Sequence, residues 1–269
     1  MLEFVDTAAQ AVSRITDGAT VLIGGVGNAG QPMELIDALL ESGATGLTVV
    51  NNNAGQADAG LALLIKERRV AKIICSFPRQ SDSWHFDEAY RAGEIELELV
   101  PQGNLAERLR AGGAGIPAFY TRSGVGTQVA EGGLPMRYDA DGTVVKSSQA
   151  KPTDTFVLGE GYLSQTPDEP ETYVLERSIV TDFSLVHAWK GDRHGNLVFR
   201  KATRQFGPPA AMAGRVCIAQ VEELVEPGEI DPDDVHLPGV FVHRIVEVGT
   251  DIEKRIEKRT VRASGEEQA

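Results

Sequence analysis

Cysteine is almost absent from this 269-residue chain: Cys75 and Cys217 are the only two. Each sits inside an apolar, strand-like run, KIICSF and VCIAQV. Two such thiols read as reduced, buried side chains of a cytoplasmic protein rather than as a disulfide framework. Metal-ligand spacing is missing too. The five histidines lie at no short spacing from either cysteine or from one another, so no metal site is expected. No run is long and apolar enough to span a membrane, and the N-terminal residues lack the basic and apolar regions of a signal peptide. Positive charge is in deficit, with 26 Lys and Arg against 39 Asp and Glu, a net −13. That balance argues against nucleic acid as the main partner, because phosphate binding needs basic clusters. The acidity itself reads as solubility. The remainder, 42% hydrophobic and 24% charged, is ordinary for a globular protein.

Glycine, by contrast, is concentrated where it matters. Asp17 to Pro32, DGATVLIGGVGNAGQP, is a short apolar strand running into a glycine loop and then a proline. Glycine serves where the backbone takes φ > 0 or where another group comes too close for a Cβ. Pro32 suits a helix start, Leu35, Ile36, Leu39 and Leu40 share one face of that helix, and Ser42-Gly43 ends it. The loop contains a literal G-x-G-x-x-G at Gly25, Gly27 and Gly30. A nicotinamide site would also want an Asp or Glu at the end of the second strand. Here that strand, GLTVV, ends in Asn51-Asn52-Asn53, so the dinucleotide reading is disfavoured. A plain connecting turn is the other reading.

Strands and helices then alternate. Apolar strands are expected at 19–24, 46–51, 71–77 and 95–100. Helices are expected at 6–16 (capped by Asp6, with Val12 and Ile15 inward), 32–42, 58–68, 85–92 and 104–111. This is a βαβ series around a mostly parallel sheet. Ligands on such sheets bind at the carboxyl ends of the strands. The loops there, GGVGNAGQP, NNNAG, SFPRQSDSW and PQGN, form one polar rim. Residues 131–172 are turn-rich, with Asp141-Gly142 marking a hairpin, and read as a surface insertion. From Tyr173 the strands resume as YVLERSI, FSLVHAWK and NLVFRK, the last two joined by GDRHGN; VCIAQVEELV and PGVFVHRIVEV follow. Residues 251–269 read as a frayed helix and charged tail. No internal repeat is evident, and one α/β domain over residues 1–250 is expected.

Several long motifs in this order carry a resemblance. DGATVLIGGVGNAGQPMELIDALL, LTVVNNNAG, VPQGNLAERLRAGGAGIPAFYT with SGVGT, WKGDRHGNLVFRKATRQFGPPAAMA and VEELVEPGEIDPDDVHLPGVFVHRIV resemble the A subunit of the two-subunit class I 3-oxoacid CoA-transferases. The resemblance runs over roughly residues 5–250, with 131–172 and the last twenty residues outside it. It implies a three-layer α/β/α sandwich and ping-pong transfer of CoA between two carboxylic acids. It also implies a partner, the CoA-transferase B subunit, in an A2B2 heterotetramer. The nucleophilic glutamate of that family belongs to the partner, in a Glu-Asn-Gly motif that this chain lacks. CoA enters as a substrate, and no cofactor is implied. CSFPRQSDSW followed by FDEAYRAGEIELELVPQGN is similar to the 3-oxoadipate group, with succinyl-CoA as donor, in aromatic-compound catabolism by the β-ketoadipate route. The acetoacetate group usually has Thr where Asn104 stands. Val26 replaces a common Phe.

Attack by a carboxylate on a thioester creates an oxyanion, and neutral N–H donors aimed at it lower the barrier. Gln102 and then Asn52 are the expected donors. Both are loop amides at the ligand edge, and a loop-capping role is the alternative for each. Gly24, Gly25, Gly27, Gly30, Asn53, Gly103, Gly113 and Ala114 are expected to let substrate, CoA or the partner approach the backbone. Arg79, helped by Ser81 and Ser83, is expected to hold the distal carboxylate of a dicarboxylic substrate. Glu131 and Glu160 are rejected as nucleophiles. His85, His187, His194, His236 and His243 read as surface or packing residues, Trp189 as a packing anchor, and Trp84 as a packing anchor that could also line the site. Two other classes stay open: a non-catalytic binding protein on the same fold, and a nicotinamide-dependent oxidoreductase.

Overall fold

The computed structural model describes residues 2–80, 82–158 and 168–253. The chain opens with β1 (Glu3–Val5) and a short α1 (Ala8–Val12). The sequence pattern predicts a helix over 6–16; the helix is confined to 8–12, and residues 3–5, outside that range, pair with a late strand at the sheet edge. Thr7, not Asp6, then caps α1 by accepting the Gln10 N–H. Four strand–helix units follow: β2 (Thr20–Ile23) and α2 (Met33–Ser42), β3 (Leu47–Val50) and α3 (Leu61–Lys66), β4 (Val70–Cys75) and α4 (Trp84–Arg91), and β5 (Glu96–Leu99) and α5 (Gln102–Gly113). These match the sequence expectation closely. Gly43 ends α2 at φ +81, the left-handed C-cap that glycine supplies.

Next come β6 (Ala118–Thr121), α6 (Gln128–Glu131), β7 (Pro135–Tyr138), β8 (Val144–Ser147), β9 (Thr153–Phe156) and β10 (Glu171–Arg177). The strands β7 and β8 form the hairpin expected at Asp141-Gly142. The strands β6, β10 and β9 make a small antiparallel sheet. The described part of 131–172 is tied to the body. The Tyr90 hydroxyl donates to the Pro135 carbonyl at 2.7 Å, and Lys146 pairs with Glu96 at 2.8 Å. The hairpin also packs beside β5, shielding an edge strand that would otherwise invite pairing.

The chain then returns to the main sheet through β11 (Thr181–Asp192), β12 (Leu197–Val198), α7 (Gly207–Ala213), β13 (Gly214–Val225) and β14 (Arg244–Glu247). The α7 sequence, GPPAAMA, looks like a breaker, but prolines at the first helical positions lose no hydrogen bond. The nine-stranded sheet runs β1-β14-β13-β11-β2-β3-β4-β5, with β12 added to β11. Every pairing is parallel except β11–β12. From the central pair β2–β11 the order grows outward both ways. This is the topological switch at which ligands bind α/β sheets.

Alternate residues of each strand face opposite layers. Val21, Ile23 and Val49 join α1–α4 in one core, while Leu22, Val50 and Ala219 join α5 and α7 in the other. The result is a three-layer α/β/α sandwich. Cys75 and Cys217 lie fully buried in these cores as free thiols. Burial pushes Cys217 up to about 12 and raises Cys75 further, so neither is a thiolate at neutral pH.

A charged seam stiffens the β5 edge. Glu98 accepts from Lys72 at 2.8 Å and from Arg108 at 3.2 Å. Burial alone would raise the Glu98 pKa, but these two cations outweigh it and hold the carboxyl below its usual range. Asn104, placed by the sequence on the rim, joins this seam instead. It is buried and donates to Glu176 at 2.8 Å.

Close packing rather than substrate access explains the glycines at the end of α5. A Cβ on Gly112 would collide with the Ile179 carbonyl oxygen, and one on Gly113 with Met212 of α7. Gly113 and Ala114 also sit at the far end of the helix from Gln102, about 16 Å away at 1.5 Å per residue. The Gly112→Ala variant should therefore lose about 1–3 kcal/mol of stability through overpacking. Urea unfolding checks this, and an unchanged midpoint would refute the close approach.

Candidate functional site

The carboxyl ends of β2, β3, β4 and β5 bring the four polar loops side by side, as expected. Two of them repeat one design. In the first, Val26 and Ala29 bond to each other through both backbone pairs at 3.1 Å, closing a two-residue turn at Gly27-Asn28. In the second, Gln56 and Ala59 bridge in the same way around Ala57-Asp58. Positive φ falls at Gly25, Gly27 and Gly30, and again thirty residues on at Gly55, Ala57 and Gly60. The chain thus contains a local structural repeat, against the expectation of none. It was hidden because GVGNAG and GQADAG share only their first glycine and final Ala-Gly. The turn constrains Gly25 from within. A Cβ there would lie 2.8 Å from the Gln31 nitrogen, so this glycine is fixed by the loop's own backbone.

A chain of amides runs from this loop to Gln102, and a backbone donor fixes its direction. The Gly27 N–H can only donate, and it meets Asn53 Oδ1 at 2.5 Å. That identifies the Asn53 atom as oxygen, so its other neighbour must donate to it: Asn52 Nδ2, at 3.3 Å. Asn52 Oδ1 then faces the other way and accepts from Gln102 Nε2 at 2.9 Å and from Ser76 Oγ at 2.7 Å. Asn51 is fixed in the same manner. Its Nδ2 donates to the Ile23 carbonyl at 2.7 Å, and its Oδ1 accepts the Asn53 N–H at 2.8 Å. The three asparagines are at most 2% exposed, whereas Gln102 is exposed. Asn52 therefore lies behind Gln102, which presents its remaining N–H and its carbonyl outward from the first turn of α5. At Gly103 an added Cβ would meet nothing within 4 Å, so space beside Gln102 stays open.

The sequence missed Ser76, Asn51 and Gln31 as members of this network. Gln31 donates to the Gly27 carbonyl at 2.6 Å and accepts the Leu61 N–H at 3.3 Å, linking the two turns. The signal was the uninterrupted NNN run at a strand end. A run of amides there is a set of paired donors and acceptors rather than a ribose clamp.

Other expected residues fall elsewhere. Gly24 continues the β2 pairing to Leu185, and Gly30 packs on Thr203. Arg79 stands on the loop after β4, half-exposed, with its Nε on Asp87 Oδ1 at 2.6 Å. Ser83 is buried and donates to the Gly55 carbonyl, so it holds the loop rather than facing a ligand. Ser81 and Glu160 lie outside the described residues. Glu131 ends α6, exposed and outside this network.

The histidines other than His194 have structural partners. His85 meets Asp58 at 2.7 Å and His187 meets Glu222 at 3.1 Å. His236 and His243 accept the backbone N–H groups of Phe199 and Cys217. Among the described residues no group of three His, Cys, Asp or Glu side chains could hold a metal, and no helix is long and apolar enough to cross a membrane. A cavity of about 540 Å³ between β5 and the β7–β8 hairpin, lined by Leu97, Val100, Met136, Val145 and Lys151, is separate from the amide chain.

Comparison with known proteins bears on what this edge serves. Residues 5–248 match the family described as coenzyme A transferase. A Mycobacterium tuberculosis relative, the probable A subunit of a succinyl-CoA:3-ketoacid coenzyme A transferase, is 53% identical over 262 residues, covering 97% of this chain and all of the relative. The A subunit of the Acinetobacter baylyi 3-oxoadipate CoA-transferase is 52% identical over 242 residues, covering 90% and 93%. In fold, the chain is similar to an acyl-CoA transferase of Escherichia coli O157:H7, with TM-score 0.72 and 21% identity over 94% of this chain. It spans about half, 48%, of that longer chain. Glutaconate coenzyme A-transferase of Acidaminococcus fermentans aligns with TM-score 0.69 and 18% identity, over 92% of this chain and 76% of that one. The parallel sheet, its amide-lined carboxyl edge and these matches agree: the chain belongs to the coenzyme A transferase family.

Proposed function

We propose that this chain is one half of a two-subunit enzyme that moves CoA from succinyl-CoA to a 3-oxoacid, with 3-oxoadipate as the first choice of acceptor. The observation that carries this reading is the oriented amide chain ending in exposed Gln102, in a chain without the Glu-Asn-Gly nucleophile motif. The partner subunit supplies a glutamate carboxylate, which adds to the donor thioester carbonyl. Negative charge develops on the former carbonyl oxygen, where Gln102 donates its second N–H. Loss of the CoA thiolate leaves an acyl-glutamyl anhydride. The thiolate then attacks the glutamyl carbonyl, freeing the donor acid and leaving a glutamyl-CoA thioester, and the acceptor acid reverses these steps. Asn52 and Ser76 are positioning residues: they hold Gln102 in one orientation. The two kinds of chain are taken to form an A2B2 assembly. A non-catalytic binding protein on this fold would share the sheet but would gain nothing from joining such a partner.

Purified alone, the chain should be inactive, with turnover appearing on addition of the partner. Hydroxylamine or borohydride trapping should mark the partner only. Turnover by the isolated chain, or an adduct on it, would overturn the reading.

Gln102→Ala should slow adduct formation by about 10²–10³, the usual cost of one oxyanion donor, with an unchanged urea midpoint. Ser76→Ala should cost less, and Ser76→Thr should restore most of the rate because it keeps the hydroxyl. A normal rate in Gln102→Ala would return this side chain to a capping role.

The distal carboxylate of 3-oxoadipate needs a cation, since a buried carboxylate is costly unpaired. Asp87 holds Arg79 through Nε alone, so its terminal nitrogens remain for a second carboxylate in bidentate fashion. Measured as kcat/KM with both acceptors, wild type should strongly favour 3-oxoadipate over acetoacetate, and Arg79→Ala should erase most of that preference. Equal use of acetoacetate by wild type would favour the second reading, a succinyl-CoA:3-ketoacid transferase, whose named relatives align over more of the chain. A preference untouched by the substitution would remove Arg79 from recognition.

A further inference from the structure

On a chain of net charge −13, one exposed segment carries three cations within five residues: Arg200, Lys201 and Arg204. Lys190, which shares the Trp189 ring with Arg200, and Arg193, seven residues before the strap, are neutralised. Lys190 pairs with Glu223 at 3.1 Å and Arg193 with Glu226 at 2.7 Å. Among the described residues, no carboxylate lies within 4.0 Å of Arg200, Lys201 or Arg204. The segment is built rather than loose. Phe199 before it and Phe206 after it are both buried, so residues 200–205 form a strap pinned at its two ends. Within it Thr203 Oγ1 donates to the Arg200 carbonyl at 2.8 Å, and the Arg200 guanidinium lies 5.3 Å from the Trp189 ring centroid, a stabilising cation–π distance.

The strap also touches the site. Gln205 Nε2 donates to the Ala29 carbonyl at 3.1 Å, and Gly30 packs on Thr203. The glycine loop therefore has the amide chain on one side, through Gly27 and Asn53, and the cations on the other.

We propose that the Arg200–Arg204 strap binds the phosphate groups of the CoA thioester, on the far side of the glycine loop from Gln102. This rests on the transferase reading above. The nucleotide end of CoA carries a pyrophosphate and a phosphomonoester, the latter alone about −1.5 to −2 at neutral pH. An acidic protein repels such a ligand unless charge is locally reversed where it lands. Unpaired guanidinium groups suit that task, because their planar fork matches phosphate oxygens. The pantetheine arm would then cross the glycine loop to bring its thioester to Gln102.

The test uses the assembled two-subunit complex and two donors: succinyl-CoA, and succinyl-pantetheine, which has the same thioester but no phosphates. The triple variant Arg200→Ala/Lys201→Ala/Arg204→Ala should raise KM for succinyl-CoA by about 10–100-fold. On succinyl-pantetheine its kcat/KM should stay within about twofold of wild type. The salt dependence of kcat/KM for succinyl-CoA should also flatten in the variant, since released phosphate contacts carry that dependence. Equal losses on both donors, no loss on either, or failure of the variant to assemble with its partner would each overturn the proposal. The last outcome would assign the cations to the interface between the two chains. Absence of wild-type turnover with both donors would overturn the transferase reading, and this inference with it.

Discussion

The bond from the Gly27 N–H to Asn53 Oδ1 sets the direction of everything beyond it. A carboxamide can turn over and exchange donor for acceptor at little cost, so a chain of amides alone has two senses. A backbone N–H cannot turn over. Once it claims one oxygen, Asn53, Asn52 and Gln102 follow in order, and Gln102 is left with an N–H to offer. The glycine loop thus serves the site less by making room than by carrying one immovable donor to the right place. Its own folding supports that role: the closed turn at Gly27-Asn28 and the Gln31 side chain hold the donor still.

Much of this molecule was legible in the sequence. The four strand–helix units from residue 20 to residue 113 were readable because apolar four-residue runs alternate with amphipathic stretches, and Gly and Pro mark their ends. The polar rim followed from the rule that parallel sheets bind ligands at their carboxyl edge. What failed did so for physical reasons. The strand at Glu3–Val5 exists because β14 offers it an edge, a partner more than 230 residues away that no local pattern reveals. The α7 helix starts with Gly-Pro-Pro, where local chemistry says break and only the position within the first turn says otherwise. Polar text puts Asn104 on the rim, and glycine-rich text puts Gly113 among the binding residues. Their side-chain directions, toward Glu176 and Met212, depend on which face of α5 is inward.

The twin turns show how a sheet can be built twice from one local rule. In the second copy Ala57 takes the left-handed conformation that Gly27 takes in the first, at φ 52. For an L-residue that conformation costs about 1–2 kcal/mol. The surrounding bonds hold it there: the Ala57 N–H donates to the Asp82 carbonyl at 2.9 Å, and Ser83 closes on Gly55. The second turn therefore fastens the β4 loop, from which Ser76 reaches Asn52. One turn orients the amide chain and the other holds the loop that buttresses it.

Neutral amides at this edge also fit the chemistry better than cations would. In the proposed reaction the acceptor acid and the attacking glutamate are carboxylates before anything has reacted, and only the donor's reacting carbonyl, a thioester, is neutral. A lysine or arginine at the reacting carbonyl would bind those ground states strongly, and binding that is equal in ground and transition states does not speed the chemical step. An amide N–H gains most where charge newly develops, on the oxygen of the tetrahedral adduct. Arg79 and the Arg200–Arg204 strap are not members of the amide chain, and on the proposed reading they meet substrate charges that persist throughout the reaction. Separating neutral donors at the reacting atom from charged groups at its periphery lets one surface hold an anionic substrate without arresting the carboxylate that must attack it.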